Sequence, residues 1–314
     1  MNYLLKKLGT LIITLLIISL ATFLAFQIIP GDSIIASLGI DATKEQVEAL
    51  REEMGYNKSI PERYMNWMGN ALHGDYGTSI SYDMSVKELV KERFPVTIGL
   101  GILSLILIVI ISIPMGIFMA RWKGSLFDRM VRVLNQVGMA IPPFFLGMII
   151  TLLFGIILKW FTPGGYVDIK ESFVGYLHYL IFPAFAIAIP KIAMVVKFLR
   201  SSMLRQKEMD YVRTAKSKGS TEHDILYHHI LKNALIPVIT FLGLVIADVF
   251  AGSIIIEQVF GLPGLGRLLV VAIAGRDFAV VQAIVIYIAV LVVLVNFFVD
   301  ILYQLLDPRV RVKQ

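Results

Sequence analysis

Six apolar blocks, each long enough to cross a bilayer, limit what this chain can fold into more than any other feature. They run Leu8–Ile29, Val96–Ala120, Leu134–Leu158, Tyr176–Phe198, Leu235–Ile256 and Phe278–Val299. A helix of about 20 apolar residues satisfies its own backbone and leaves only hydrocarbon facing the lipid. Of the 314 residues 57% are hydrophobic, against about 45–50% in soluble domains. The fold class expected is an all-α membrane protein with six transmembrane helices. The first block follows Lys6 and Lys7, exceeds a signal-peptide core and has no A-x-A site after it, so it reads as an uncleaved span that Pro30-Gly31-Asp32 ends. The fourth holds Pro183 and Pro190, tolerable where neighbouring helices satisfy the freed backbone groups.

Charge placement orients these spans. With both termini cytoplasmic, sixteen Lys/Arg fall inside: Lys6 and Lys7, Arg121 to Arg132, Arg200 to Lys232, and Arg309 to Lys313. Two short outer loops hold two each, Lys159 with Lys170 and Arg267 with Arg276. Residues 31–95 carry eleven acids against seven Lys/Arg and belong outside. The formal charge of +6 is thus topological, and membrane lipid rather than nucleic acid is the expected surroundings. The division is 1–30, a first transmembrane helix; 31–95, a small folded extracytoplasmic segment; 96–304, a five-helix core with a cytoplasmic loop at 199–233; and 305–314, a cytoplasmic tail. Within 31–95, Thr43 can cap a helix to Met54 with Val47, Leu50 and Met54 at helical spacing. Tyr64, Trp67, Met68 and Leu72 mark a second helix, and His73–Thr78 a turn.

Several chemistries are excluded. With no cysteine there is neither a disulfide nor a thiol nucleophile. No G-x-x-x-x-G-K-[ST] occurs, so the chain should not bind ATP by itself, and Gly261, Gly264 and Gly266 read as a bend after the fifth span. G-x-S-x-G and H-E-x-x-H are missing as well. No catalytic residue is assigned. His223, His228 and His229 do not share one helix face, so no metal site is assigned and the chain needs no cofactor of its own.

The stretch Glu208–Pro237 is polar between two apolar blocks. Met209, Val212, Ala215 and Lys216 share a helix face that Gly219 can end in a left-handed turn. Thr221 can cap a second helix, to about Leu231, with Asp224 three residues on. Its Ile225, Leu226, His229 and Ile230 form an apolar patch with a polar edge. Two short helices with exposed apolar residues suit docking into a groove on a soluble partner. A connector lying on the membrane is the alternative.

Two charges sit inside apolar blocks, Lys191 and Asp248. An acid at mid-bilayer costs about 2.5–3.5 kcal/mol on insertion scales, so the two should pair, border a water-filled path, or both. A purely structural ion pair is the competing reading. Gly243, Ala247 and Ala251 recur every four residues, a small face that lets another helix approach closely.

The loop resembles the E-A-A…G loop of ABC importer permeases, which fits the ATPase subunit. Asp210-Tyr211-Val212-Arg213-Thr214-Ala215-Lys216 through Gly219 is similar to the peptide/nickel branch. So are Asn233–Pro237, Glu257–Gly266, Arg276-Asp277, Asp300–Tyr303, Leu306–Arg309 and, in the outer segment, Gly74–Ser79. Arg213-Thr214 stand where the general loop has Glu-Ala, and Gly219 to Pro237 is longer than in sugar-type importers; both fit the peptide branch. The resemblance covers nearly the whole chain. It implies a multi-pass permease subunit in a prokaryotic inner (plasma) membrane, carrying di- or oligopeptides by alternating access. It also implies a second homologous permease, two ATPase subunits that hold ATP and Mg, and an extracytoplasmic substrate-binding protein. Asp210, Tyr211, Arg213, Ala215, Gly219, Thr221, Asp224 and Leu226 would be the coupling residues. A nickel or nickel-chelate importer is the rival within the class; a stand-alone channel or secondary transporter is the rival outside it.

Overall fold

A computed structural model describes residues 2–28, 43–53 and 57–306. In chain order, helix α1 (Asn2–Ile28) is followed by α2 (Lys44–Glu53), α3 (Ile60–Leu72) and a two-residue antiparallel ladder, β1 (Thr78–Ser79) with β2 (Met84–Ser85). Then come α4 (Val86–Arg121), α5 (Leu126–Ala140), α6 (Pro143–Ile157), α7 (Phe173–Lys207), α8 (Asp210–Ser217), α9 (Glu222–Phe260), α10 (Leu265–Ala274) and α11 (Phe278–Leu306). Five of these, α1, α4, α7, α9 and α11, are long and apolar enough to cross a membrane; a sixth crossing requires α5 and α6 together.

That pair corrects one expectation. Leu134–Leu158 is not a single helix: its arms meet at 101° between Ala140 and Pro143. Pro142 and Pro143 are consecutive, and a residue before proline is pushed out of the α region. Ile141 accordingly lies at φ −82°, ψ 123° and Pro142 at ψ 139°. At about 1.5 Å per residue neither 15-residue arm covers the roughly 30 Å hydrocarbon core.

The chain divides into two compact units, Met1–Thr97 with Pro263–Val293, and Ile98–Leu262 with Leu294–Gln314. In the first, α3 packs on α1. Ser19 Oγ and Tyr64 Oη are 2.8 Å apart, and the Phe23 ring meets Tyr64 and Trp67 at 5.4 and 5.9 Å. The expected caps and turns are there: Thr43 Oγ1 accepts from the Gln46 N–H, and Gly74 and Gly77 take φ of +78° and +85°. Leu72, the last of the residues that marked the second helix, ends α3 with its side chain exposed. The side chains of Val47, Leu50 and Met54, residues 29–42 and the tail from 307 lie outside the described part.

The second unit is built on α7 and α9, which run antiparallel along one seam. Tyr179 Oη donates to the Phe260 carbonyl at 2.6 Å, Lys191 meets Asp248, Phe198 stacks on Phe241 at 4.7 Å, and Ser202 Oγ donates to the Ala234 carbonyl at 3.0 Å. The first three contacts are spaced twelve and then seven residues apart on both helices, so they keep register along the seam. Pro183 and Pro190 sit within an unbroken α7. The close packing of α4 depends on glycines: a Cβ at Gly116 would lie 2.8 Å from Leu199 Cδ2, and one at Gly101 2.4 Å from Phe250 Cε1.

Candidate functional site

Residues 199–207, expected to open the loop, instead continue α7, and from Asp210 to Gly219 the chain forms the helix and glycine turn that the sequence predicts. Helix α8 buries Val212 and Ala215 and ends with Gly219 at φ +81°, where the Ser220 N–H reaches the Ala215 carbonyl at 3.2 Å and the Gly219 N–H reaches Lys216 at 3.0 Å. Nothing lies within 4 Å of where a Gly219 Cβ would stand, so backbone conformation alone requires glycine there. Tyr211 Oη donates to Gln206 Oε1 at 2.9 Å. Asp210 and Arg213, 3.6 Å apart, are both almost fully exposed, a pair worth little in water.

Beyond Gly219 two expectations need correction. Thr221 caps as foreseen, its Oγ1 accepting from the Asp224 N–H at 3.1 Å. The helix it starts is not a separate one ending near Leu231. It continues through wide π-helical turns at Ile225–Leu231 into the fifth span as α9. Neither glycine nor another breaker stands between Thr221 and Pro237, so nothing stops propagation. The apolar patch is not exposed either. Ile225, Leu226 and Ile230 are buried and close over Val212 of α8, around a pocket that Arg121, Lys207, Lys216, Glu222 and His223 rim. Apart from Met209, what the loop offers outward is polar: Arg213, Lys218, Glu222, Asp224, His228 and His229. His223 lies against Tyr227, and His228 Nδ1 is 3.6 Å from Asp224.

Within the spans, Lys191 Nζ and Asp248 Oδ2 are 2.7 Å apart. Of the small-residue face, Gly243 is buried, and a Cβ there would stand 2.6 Å from Val299 Cγ1 of α11. Ala247 is half-buried and Ala251 exposed, so that stripe packs on a neighbour at its Gly243 end.

Sequence reasoning missed three features. Asp128, fully buried, accepts from Arg200 Nε and Nη2 at 2.8 and 2.9 Å and from the Gly124 N–H at 2.9 Å, tying α5 to α7. Both residues lie near basic clusters used only for orientation; the available signal was Ser125 three residues ahead of Asp128, an N-cap pattern. Asp277, also fully buried, accepts from the Ser79 hydroxyl and, at 3.1 Å, from the Ser81 N–H. It joins two motifs of the resemblance, Gly74–Ser79 and Arg276-Asp277, nearly 200 positions apart. In the same unit Tyr76 lies against Tyr287 at 5.3 Å, and burial first, then that neighbour, pushes the Tyr76 hydroxyl up to about 12. Third, Gly261, at φ +69°, and Gly264 lie in the expected bend, but the bend ends there. Gly266 lies inside α10, whose Leu265 N–H donates to Thr97 Oγ1 at 2.9 Å.

A mainly helical chain with five or six candidate crossings among the described residues, a polar helix–glycine–helix loop and a charge pair inside its spans defines a polytopic membrane protein. Residues 112–312 match the family described as binding-protein-dependent transport system inner membrane component, and residues 1–101 match the N-terminal family of such membrane components. The chain belongs to this family, as a multi-pass inner-membrane protein. It is 39% identical over 307 residues to a Brucella abortus protein named as a peptide transport system permease, covering 98% of both chains. It is 37% identical to the oligopeptide transport system permease protein AppB of Bacillus subtilis, again over 98% of each. The glutathione transport system permease protein GsiC of Pectobacterium atrosepticum is 36% identical over the whole of both chains.

Proposed function

We propose that this chain is one permease subunit of an ATP-driven ABC importer for di- and oligopeptides. The observation that carries this is end-to-end similarity, at 39% and 37% identity over 98% of each chain, to permeases named for peptide and oligopeptide transport. Full coverage matters, because it includes both the loop and the spans that hold the charge pair.

In this reading a second homologous permease completes the path, two ATPase subunits bind ATP and Mg, and a binding protein delivers substrate from outside. The loop at Asp210–Leu231 bears on the ATPase through its polar outer surface, with Asp210, Arg213 and Asp224 facing the partner. The buried Val212, Ala215 and Leu226 hold α8 against the start of α9. Because α9 runs unbroken from Glu222 to Phe260, movement imposed on the loop passes directly into a span. The seam of α7 and α9 would then reorient between inward- and outward-facing arrangements.

Uptake into proteoliposomes holding the full assembly tests the substrate class. Radiolabelled di- and tetrapeptides should accumulate with ATP, and nickel should not. Nickel accumulation without peptide uptake would overturn the reading.

A further inference from the structure

We infer that Asp248 is a substrate-contacting residue, a carboxylate that takes the cationic group of a passing peptide, and that Lys191 positions it. The inference rests on the peptide-importer reading and adds the recognition chemistry.

The Asp248 side chain is 60% exposed, although it stands near the middle of the apolar run Leu235–Ile256. A carboxylate left facing hydrocarbon there costs about 2.5–3.5 kcal/mol, so this face of α9 does not meet lipid. Thr240, Leu244, Ala251 and Ile255 are exposed on the same side, a strip running most of the span. The adjoining face, with Val238, Val245 and Val249, is buried.

The pair is also asymmetric. Lys191 is only 16% exposed, and its ammonium reaches one oxygen, Oδ2. The two charges cancel in sum but form a dipole with its negative end outward. Every peptide with a free N-terminus carries an ammonium, and some carry Lys or Arg as well. Oδ1 of Asp248 is placed to accept from such a group, while Lys191 holds Oδ2 and so fixes the carboxylate's rotamer. An exposed Lys with a buried Asp would favour the opposite charge.

The test reverses the dipole without breaking the pair. The complete importer is reconstituted with wild-type chain or with Lys191→Asp/Asp248→Lys, and saturating binding protein loaded with length-matched peptides containing Lys, Ala or Glu. The quantity read is the ratio of Lys-peptide to Glu-peptide uptake. Selectivity of the binding protein is common to both samples and cancels between them. The ratio should fall about tenfold in the swap, the scale of one hydrogen bond to a charged group. Should the swap fail to assemble with the ATPase, Asp248→Asn, equal in size and uncharged, should lower the same ratio several-fold. An unchanged ratio in the variant that assembles overturns the inference and leaves a structural ion pair. Failure of wild type to take up any of the peptides overturns instead the peptide reading beneath it.

Discussion

Replacing Asp128 by asparagine should damage the protein far more than its conservative shape suggests. The carboxylate is fully buried and receives two guanidinium hydrogen bonds from Arg200, itself only 17% exposed, plus one from the Gly124 backbone. Asparagine offers one acceptor and turns an amide donor toward the guanidinium, stranding a largely buried positive charge. Removing one partner of such a pair costs about 3–5 kcal/mol, whereas replacing both with apolar groups of similar volume is near neutral. Asp128→Asn should therefore lower the melting temperature of the detergent-purified complex by roughly 5–10 °C. Asp128→Leu/Arg200→Met should recover most of that loss, since water can serve the N–H of exposed Gly124. Fluorescence-monitored thermal unfolding with size-exclusion recovery reads both. A single variant that melts within a degree of wild type would refute the view that this pair holds α5 on α7. A double variant no better than the single would refute the stranded-charge reasoning.

Two further outcomes follow from local geometry. Gly219→Val meets no steric obstacle but must adopt φ +81°, costing about 1–2 kcal/mol of backbone strain. It should weaken binding-protein-stimulated ATP hydrolysis while leaving the chain in the membrane; unchanged stimulation would make the loop a mere connector. Asp277→Asn loses the charge that Ser79 and the Ser81 N–H address, so amide hydrogen exchange across residues 78–85 should quicken, and unchanged protection would show that the hairpin is held by other contacts.

Much of this architecture was legible in the sequence, for physical reasons that also explain the gaps. Spans announce themselves because lipid demands long apolar runs, and Lys191 and Asp248 announced each other because a mid-membrane charge needs a partner or water. Composition hid the break at Ile141-Pro142-Pro143, since the run stays apolar across it and only the tandem prolines mark the bend. The ten-residue α10 was masked by the glycines at its start, read as a continuing turn. The face of Ile225, Leu226 and Ile230 was readable as apolar, but periodicity cannot say whether such a face meets a partner or the chain's own neighbouring helix. Here Val212 of α8 closes the space. Asp277 and Ser79 gave no local sign of each other, because the fold alone brings them together.

The central claim is that ATP hydrolysed in partner subunits drives peptide movement through a path this chain helps to form. Peptide accumulation in proteoliposomes with and without the ATPase subunits, with ATP supplied on their side, tests it most directly. Accumulation should require the ATPases and hydrolysable ATP and be lost when either is omitted. Uptake driven by this chain alone, by an ion or substrate gradient, would contradict it.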